Sequence, residues 1–244
     1  QPMTEIAPGH FVKNPKNMDI DMPKIAAMAR RLQPGILIVD RTVTGRYENY
    51  RTPEQEVPEK PLPYAWETCM TMGGSWSYKP DDDYKSTRRL VHLLVDIVSK
   101  GGNFLLNIGP SPEGELPADS LARLREIGEW MRVNGEAIYG TRPIAPYKEA
   151  QTCFTSLADG TVYAIVLAGD GETAPPSKLM LTSIAPEAGS VVRMLGVREP
   201  VRWEKVGRGA LLTLPRGAVE TPPCRDAWVF KLKAAPRTGA GTAE

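Results

Sequence analysis

Apolar residues recur at helical spacing in three stretches of the chain, and short uniform apolar runs lie between them. The first predicted helix is capped by Asp21 and stops at Gln33-Pro34-Gly35. The second spans 86–100, and the third runs from Pro117 to about residue 138. Buried strands are predicted at 36–39, 66–72 and 103–108. Strands alternating with helices indicate an α/β fold with a parallel sheet. Only about three strands are predicted, so this sheet is at most half of a barrel.

The pattern changes near Thr141-Arg142-Pro143. Six short alternating runs follow, separated by Gly, Pro, Asp or Ser, and they predict an antiparallel β-sandwich; the runs are 152–157, 161–167, 179–182, 191–195, 210–214 and 227–232. We therefore divide the chain into a partial (β/α)-barrel, TIM-like, at 1–143, a β-sandwich at 144–233 and a flexible tail at 234–244. Residues 1–17 show no periodicity and four Pro or Gly punctuators, which predicts a loop.

Composition excludes several classes of partner. The 30 Lys and Arg residues nearly balance the 29 Asp and Glu residues, so charge favours neither nucleic acid nor an acidic membrane surface. No apolar run reaches the roughly 18 residues that span a bilayer. Three scattered cysteines and two histidines, with no CxxC pair, indicate buried thiols and predict neither a metal site nor a disulfide scaffold. We expect no metal and no cofactor.

Candidate chemistry is concentrated between Ile36 and Trp76. Arg41, Glu54, Glu67 and Trp76 all follow or adjoin predicted strands, and functional groups of parallel sheets collect at the carboxyl ends of strands. Two carboxyl groups could serve as proton donor and nucleophile or base in glycoside hydrolysis, with an arginine and an aromatic ring holding the sugar. Each residue also has a structural interpretation: Arg41 in an ion pair with Asp40, Glu54 as a surface acid, Glu67 as a buried acid bonded to amides, and Trp76 in the core.

Four sequence motifs resemble those of the α-L-fucosidases of glycoside hydrolase family 29. They are Trp66-Glu67-Thr68-Cys69-Met70, Ser75-Trp76-Ser77-Tyr78, Val98 to Pro110 (VSKGGNFLLNIGP) and Gly135-Glu136-Ala137-Ile138-Tyr139-Gly140. The third motif is the most specific. The resemblance covers roughly residues 18–233, and its firm motifs lie between 36 and 143.

The resemblance implies a (β/α)-barrel followed by a β-sandwich, and a retaining mechanism through a covalent fucosyl-enzyme. By position, Glu54 matches the acid/base of the family and Arg41 matches an arginine that contacts fucose and the nucleophile. Trp76 matches an aromatic residue of the sugar pocket, although Ser77 replaces a common glycine. Glu67 matches a recurrent glutamate and is a second acid/base candidate, or a group that supports the site indirectly.

The resemblance also implies a residue that this sequence does not show. The aspartate nucleophile of the family lies on a barrel strand shortly before the matching segment, and no residue here matches that motif. We therefore expect the carboxyl-terminal part of a fucosidase, inactive without an amino-terminal half that associates as a separate chain. The expected substrate is a fucosylated glycan or small fucoside. Homo-oligomerisation stays open, and a secreted or periplasmic location is compatible with the sequence.

Two other functions stay open on the sequence alone. One is a fucose-binding or otherwise carbohydrate-binding remnant without catalysis, and the other is a different retaining barrel glycosidase such as an α-galactosidase. The 98–110 motif disfavours the second of these.

Overall fold

The computed structural model describes residues 3–7, 10–13, 21–39 and 46–234. Its amino-terminal part contains a short parallel sheet, in which β3 (Trp66–Thr71) pairs in register with β4 (Gly102–Asn107). The helix α2 (Thr87–Ser99) connects the two strands. This strand, helix and parallel strand form the βαβ unit that the alternating pattern predicts.

The first helix, α1 (Met22–Leu32), confirms the predicted bounds. The Asp21 carboxylate accepts a hydrogen bond from the Lys24 amide, as an N-cap does. The apolar stripe of this helix is not a core face, however, because Leu32 is 74% exposed and Ala26 is its one buried residue. Residues 36–39 are also not a regular strand: Val39 forms a single parallel bridge to Tyr50.

Helix α2 is the central layer of the molecule. Leu93 and Ile97 pack against Trp66 and Met70 of β3 on one side of the helix. Val91 and Val95 belong to a different cluster on the other side. A helix that is buried on two faces is apolar over more of its circumference than a surface helix, which explains why Leu93 and Ile97 are apolar as well as Val91 and Val95.

An eight-stranded antiparallel sheet forms the carboxyl-terminal part, in the order β5-β6-β7-β12-β9-β10-β11-β8. Its strands and one short helix are β5 (Arg142–Glu149), β6 (Thr152–Ser156), β7 (Thr161–Leu167), β8 (Lys178–Leu181), β9 (Val192–Met194), β10 (Pro200–Val206), β11 (Gly209–Thr213), α4 (Arg216–Glu220) and β12 (Ala227–Lys233). Side chains from both halves of the sheet, such as Phe154, Leu212 and Phe230, share one core. The sheet therefore curls over itself, and the predicted sandwich is confirmed.

The back of this sheet packs on the helical layer. Val91 and Val95 of α2 and Trp130 of α3 (Ala118–Asn134) contact a cluster that includes Tyr163 and Val229. The Trp130 indole donates a hydrogen bond of 3.0 Å to the Ala227 carbonyl. The two parts of the chain thus share a buried interface through α2 and α3.

Several predicted bounds are wrong. Residues 3–7 (β1) and 10–13 (β2) form an antiparallel pair within the segment expected to be a loop. The third helix ends at Asn134, and a short 3₁₀ turn, Gly135–Ala137, follows it. Strands β5 and β10 went unpredicted because proline and charged residues mask their alternation. Ala234, the first residue of the tail expected at 234–244, forms an antiparallel bridge to Pro186, and residues 235–244 lie outside the described residues.

His92 lies at the interface between α2 and the curled sheet. Its Nε2 atom is 2.8 Å from the Asp226 carbonyl oxygen, which can only accept, so Nε2 carries the hydrogen of the neutral ring. Burial lowers the pKa of His92; the hydrogen bond to Asp226 opposes this shift, and the Arg88 charge adds to it. The folded state therefore disfavours the charged imidazolium.

Replacing His92 by glutamine is expected to flatten the stability profile at acidic pH. Because the folded pKa of His92 lies below its ordinary value of about 6.5, the unfolded chain binds the proton first. Wild-type stability should therefore fall as the pH drops below that value. Glutamine keeps a donor for the Asp226 carbonyl but does not titrate. Urea unfolding between about pH 7.5 and 5.5 measures the slopes, and equal slopes for both proteins would contradict the assignment.

Candidate active site

Four chain segments run side by side in parallel and define the edge where the candidate residues lie. Residues 36–39 contact the next segment through the Asn49 amide, which donates to the Ile38 carbonyl at 2.7 Å. Residues 51–55 pair with β3 through bridges from Arg51 to Trp66 and from Glu54 to Cys69. Strand β4 follows β3 on the other side. The carboxyl ends of these segments share one edge, where active sites of barrel folds are built.

Glu54 projects from the face of this sheet opposite α2. Paired residues on neighbouring strands share a face, so Glu54 shares the face of Cys69. Trp66 and Met70 lie an odd number of positions from Cys69 on β3, so they occupy the other face, where they pack on α2. That opposite face would be the interior of a closed barrel. Glu54 is exposed there, next to the carboxyl end of the sheet.

Glu67 lies on the same face but deeper. It is the second residue of β3, half-buried, and level with Asn103 of β4. The register between 51–55 and β3 puts Glu67 two residues further from the carboxyl edge than Glu54, or about 7 Å along the strand. The structure thus brings both carboxyl groups to one face and leaves Glu54 nearer the edge.

Trp76 lies on the loop that leaves β3, and its side chain is 39% exposed, so it is not a core residue. Asp82 holds this loop by accepting a hydrogen bond from the Gly74 amide at 3.0 Å. The Lys85 ammonium group donates to the carbonyls of Thr71 and Gly73. The sequence alone does not reveal this role of Asp82, because the Asp81-Asp82-Asp83 sequence carries no signal of a loop contact.

Arg41 is the remaining predicted site residue, and two further polar residues, Arg51 and Asn107, lie on the neighbouring segments. Arg41 lies outside the described residues. Arg51 has a surface role: it pairs with Glu48 at 3.0 Å and lies over the Tyr64 ring, and the hydrogen bond to Glu48 raises the pKa of its guanidinium. Asn107 ends β4 level with Thr71, and its side-chain oxygen is buried without a hydrogen-bond partner among the described residues.

Ion and membrane sites receive no support from the described part of the chain. Within residues 21–39 and 46–234, no group of three or more His, Cys, Asp or Glu side chains is arranged to hold a metal ion. None of the described helices is long and apolar enough to cross a bilayer.

Comparison with known proteins decides the family. Residues 8–136, more than half of the chain, match the model of the family described as alpha-L-fucosidase, and residues 148–233 match the alpha-L-fucosidase C-terminal domain. The chain belongs to the α-L-fucosidase family. This confirms the resemblance carried by the four motifs, as well as the partial barrel followed by a β-sandwich.

Individual fucosidases show the same relationship. An alpha-L-fucosidase of Branchiostoma floridae is 37% identical over 180 residues, which are 70% of this chain and 38% of that protein. A plasma alpha-L-fucosidase of Rattus norvegicus is 36% identical over 193 residues, 75% of this chain and 41% of its own length. The chain thus spans about two fifths of these relatives.

Solved fucosidase structures share the fold. Alpha-L-fucosidase isoenzyme 1 from Paenibacillus thiaminolyticus superposes with a TM-score of 0.75 at 28% identity, over 88% of this chain and 54% of that one. The Thermotoga maritima alpha-fucosidase in complex with fucose gives a TM-score of 0.73 at 28% identity, over 87% and 48% of the two chains.

Proposed function

We propose that this chain forms the acid/base side of an α-L-fucosidase active site and hydrolyses terminal α-L-fucosyl residues once a second polypeptide segment completes it. Membership of the fucosidase family is the observation that carries the reaction class. The placement of Glu54 near the carboxyl edge of the parallel sheet supports its role. Trp76, exposed on the next loop, would pack on the apolar face of the sugar.

The proposed reaction is a retaining double displacement. In the first step Glu54 donates its proton to the glycosidic oxygen while an aspartate of the second segment attacks the anomeric carbon and forms a fucosyl ester. In the second step the Glu54 carboxylate takes a proton from water, which attacks the anomeric carbon and releases the aspartate. Arg41 would hold the aspartate and the sugar, and Glu67, deeper on the same face, would support the site without transferring the proton.

The second segment would be the amino-terminal half of the barrel, which would carry the nucleophile. The sheet face that carries Glu54 supports this partner, because Leu105, level with Cys69 there, is 47% exposed. Within the described residues the outer edge of β4 pairs with no strand. Barrel strands from a second segment would cover the face and pair with the edge.

The test compares the chain alone with the chain co-expressed with that amino-terminal segment. We expect hydrolysis of 4-nitrophenyl α-L-fucoside by the complex and none by the chain alone, with α-L-fucose as the first product in proton NMR. Turnover by the chain alone would contradict an external nucleophile, and β-L-fucose as the first product would contradict retention. Fucose binding without turnover would favour a binding protein, and preference for an α-galactoside would favour a different glycosidase.

A further inference from the structure

Thr71 lies between the two elements that carry the proposed acid/base and the aromatic residue. It is the last residue of β3 and 3% exposed. Its hydroxyl group accepts a hydrogen bond from Gln55 Nε2 at 3.3 Å and donates one to the Gly73 carbonyl at 2.6 Å. One buried hydroxyl thus contacts the segment that carries Glu54 and the loop that leads to Trp76.

Gln55 fixes the backbone next to Glu54. Its φ of 59° lies in the left-handed region, which a residue other than glycine adopts only when its surroundings hold it there. Two hydrogen bonds to β3 do so, one from the Gln55 amide to the Cys69 carbonyl at 2.9 Å and one from its side chain to Thr71. The Thr71 hydroxyl is therefore part of what orients the Glu54 segment.

The start of the Trp76 loop is held by the same residue and by Lys85. The Gly73 carbonyl accepts hydrogen bonds from the Thr71 hydroxyl and from Lys85 Nζ, and the Thr71 carbonyl also accepts from Lys85 Nζ at 2.7 Å. The adjacent Gly74 amide donates to Asp82. A charged donor shared by two carbonyls holds the backbone more firmly than a neutral one does.

We propose that Thr71 is a positioning residue that couples the placement of Glu54 to that of Trp76, with Gln55 as the link to Glu54 and Lys85 as the link to the loop. The roles of Glu54 and Trp76 in this proposal rest on the proposed fucosidase function. Thr71 acts through its neighbours and does not touch the sugar. Its loss should therefore disturb proton transfer and sugar binding together.

The first test uses Thr71→Val, which keeps the branched shape but removes the hydroxyl, in the complex of this chain with the amino-terminal segment. We expect kcat to fall and KM to rise, each by about three- to tenfold, since one hydrogen bond is lost on each side. Thr71→Ser should recover most of both losses because it restores the hydroxyl. Thr155→Val is the matched control: it removes a buried hydroxyl bonded to the Ala137 carbonyl, away from the site, and should leave kcat and KM unchanged.

Two further variants separate the two links. Gln55→Met should mainly lower kcat, and Lys85→Met should mainly raise KM, because each breaks the contacts of one side. If Thr71→Val does not fold, these two variants still test the proposed coupling. If Gln55→Met and Lys85→Met change kcat and KM equally, the cause is general destabilisation and the coupling is overturned. The coupling is also overturned if the kinetics of Thr71→Val match those of Thr155→Val.

Amide hydrogen exchange on the chain alone gives a readout that needs no activity. Thr71→Val should speed exchange both in residues 51–55 and in residues 73–78 while the β3–β4 ladder stays protected. If the wild-type complex is inactive but this exchange pattern is found, the proposed function fails and the structural coupling stands. If the wild-type complex is active and exchange changes in neither segment, the coupling fails and the function stands.

Discussion

Glu54→Ala in the assembled enzyme is expected to lower kcat on fucosides with poor leaving groups by about 10²–10⁴-fold, the usual contribution of a general acid or base. The acid protonates the leaving oxygen, so the loss of rate in the first step should be smaller when the leaving group is a nitrophenolate. With such a substrate the fucosyl-enzyme should accumulate, because no base activates water in the second step.

Azide distinguishes a lost acid/base from a damaged fold. It attacks the fucosyl-enzyme without needing a base, so it should restore turnover of 4-nitrophenyl α-L-fucoside by Glu54→Ala and yield a fucosyl azide. Glu56→Ala is the matched control, since Glu56 is an exposed acid directly after the segment 51–55, and the kinetics of this variant should equal those of the wild type. Azide rescue of Glu67→Ala, with no rescue of Glu54→Ala, would reassign the role to Glu67.

The starts of α1 and α2 could be predicted from the sequence because the chemistry that sets them is local. Asp21 and Ser86 accept hydrogen bonds from amides three residues later and start α1 and α2 at the predicted places. Which faces of the helices are buried could not be predicted in the same way. The stripe of α1 is largely exposed, whereas α2 is buried on two sides, because burial depends on neighbours that come from distant parts of the chain.

The segment 51–55 shows a second limit. Proline and charged residues give it the pattern of a loop, yet it pairs with β3, and the Glu67 amide donates to the Arg51 carbonyl at 2.9 Å. Pro53 is tolerated because its carbonyl can still accept the hydrogen bond from the Cys69 amide. No periodicity within five residues reveals such pairing, since the partner strand begins eleven residues later.

Some residues of the candidate site could be predicted from the sequence, and others could not. Trp76 could be proposed because its motif resembles a family and Glu54 because its position matches that family, and both lie at the carboxyl edge of the parallel sheet. Gln55, Thr71 and Lys85 could not be proposed, since their contacts join residues 14 and 16 positions apart and leave no local pattern. A resemblance predicts which groups react, whereas the groups that hold the candidate residues in place become visible only through distances.

Gly109, one of three glycines in the most specific motif, has a steric reason that can be tested. A methyl group on Gly109 would lie well inside van der Waals contact with the Tyr78 amide nitrogen and the Ser77 carbonyl carbon. Both are backbone atoms, so the chain cannot relieve the contact by rotating a side chain. Gly109→Ala must therefore push the Trp76 loop away from the end of β4.

We expect Gly109→Ala to reduce the free energy of unfolding of this chain by about 1–3 kcal/mol, the usual cost of overpacking. In the assembled enzyme it should also raise KM, because Trp76 moves with the displaced loop. Gly128→Ala is the matched control: a methyl group there meets nothing within 4 Å, and alanine in α3 should stabilise the chain by about 0.5–1 kcal/mol. Urea unfolding measures both changes. If the two variants are equally stable, close packing between Gly109 and the loop is not the reason for glycine, and the loop that carries Trp76 is not held by the end of β4.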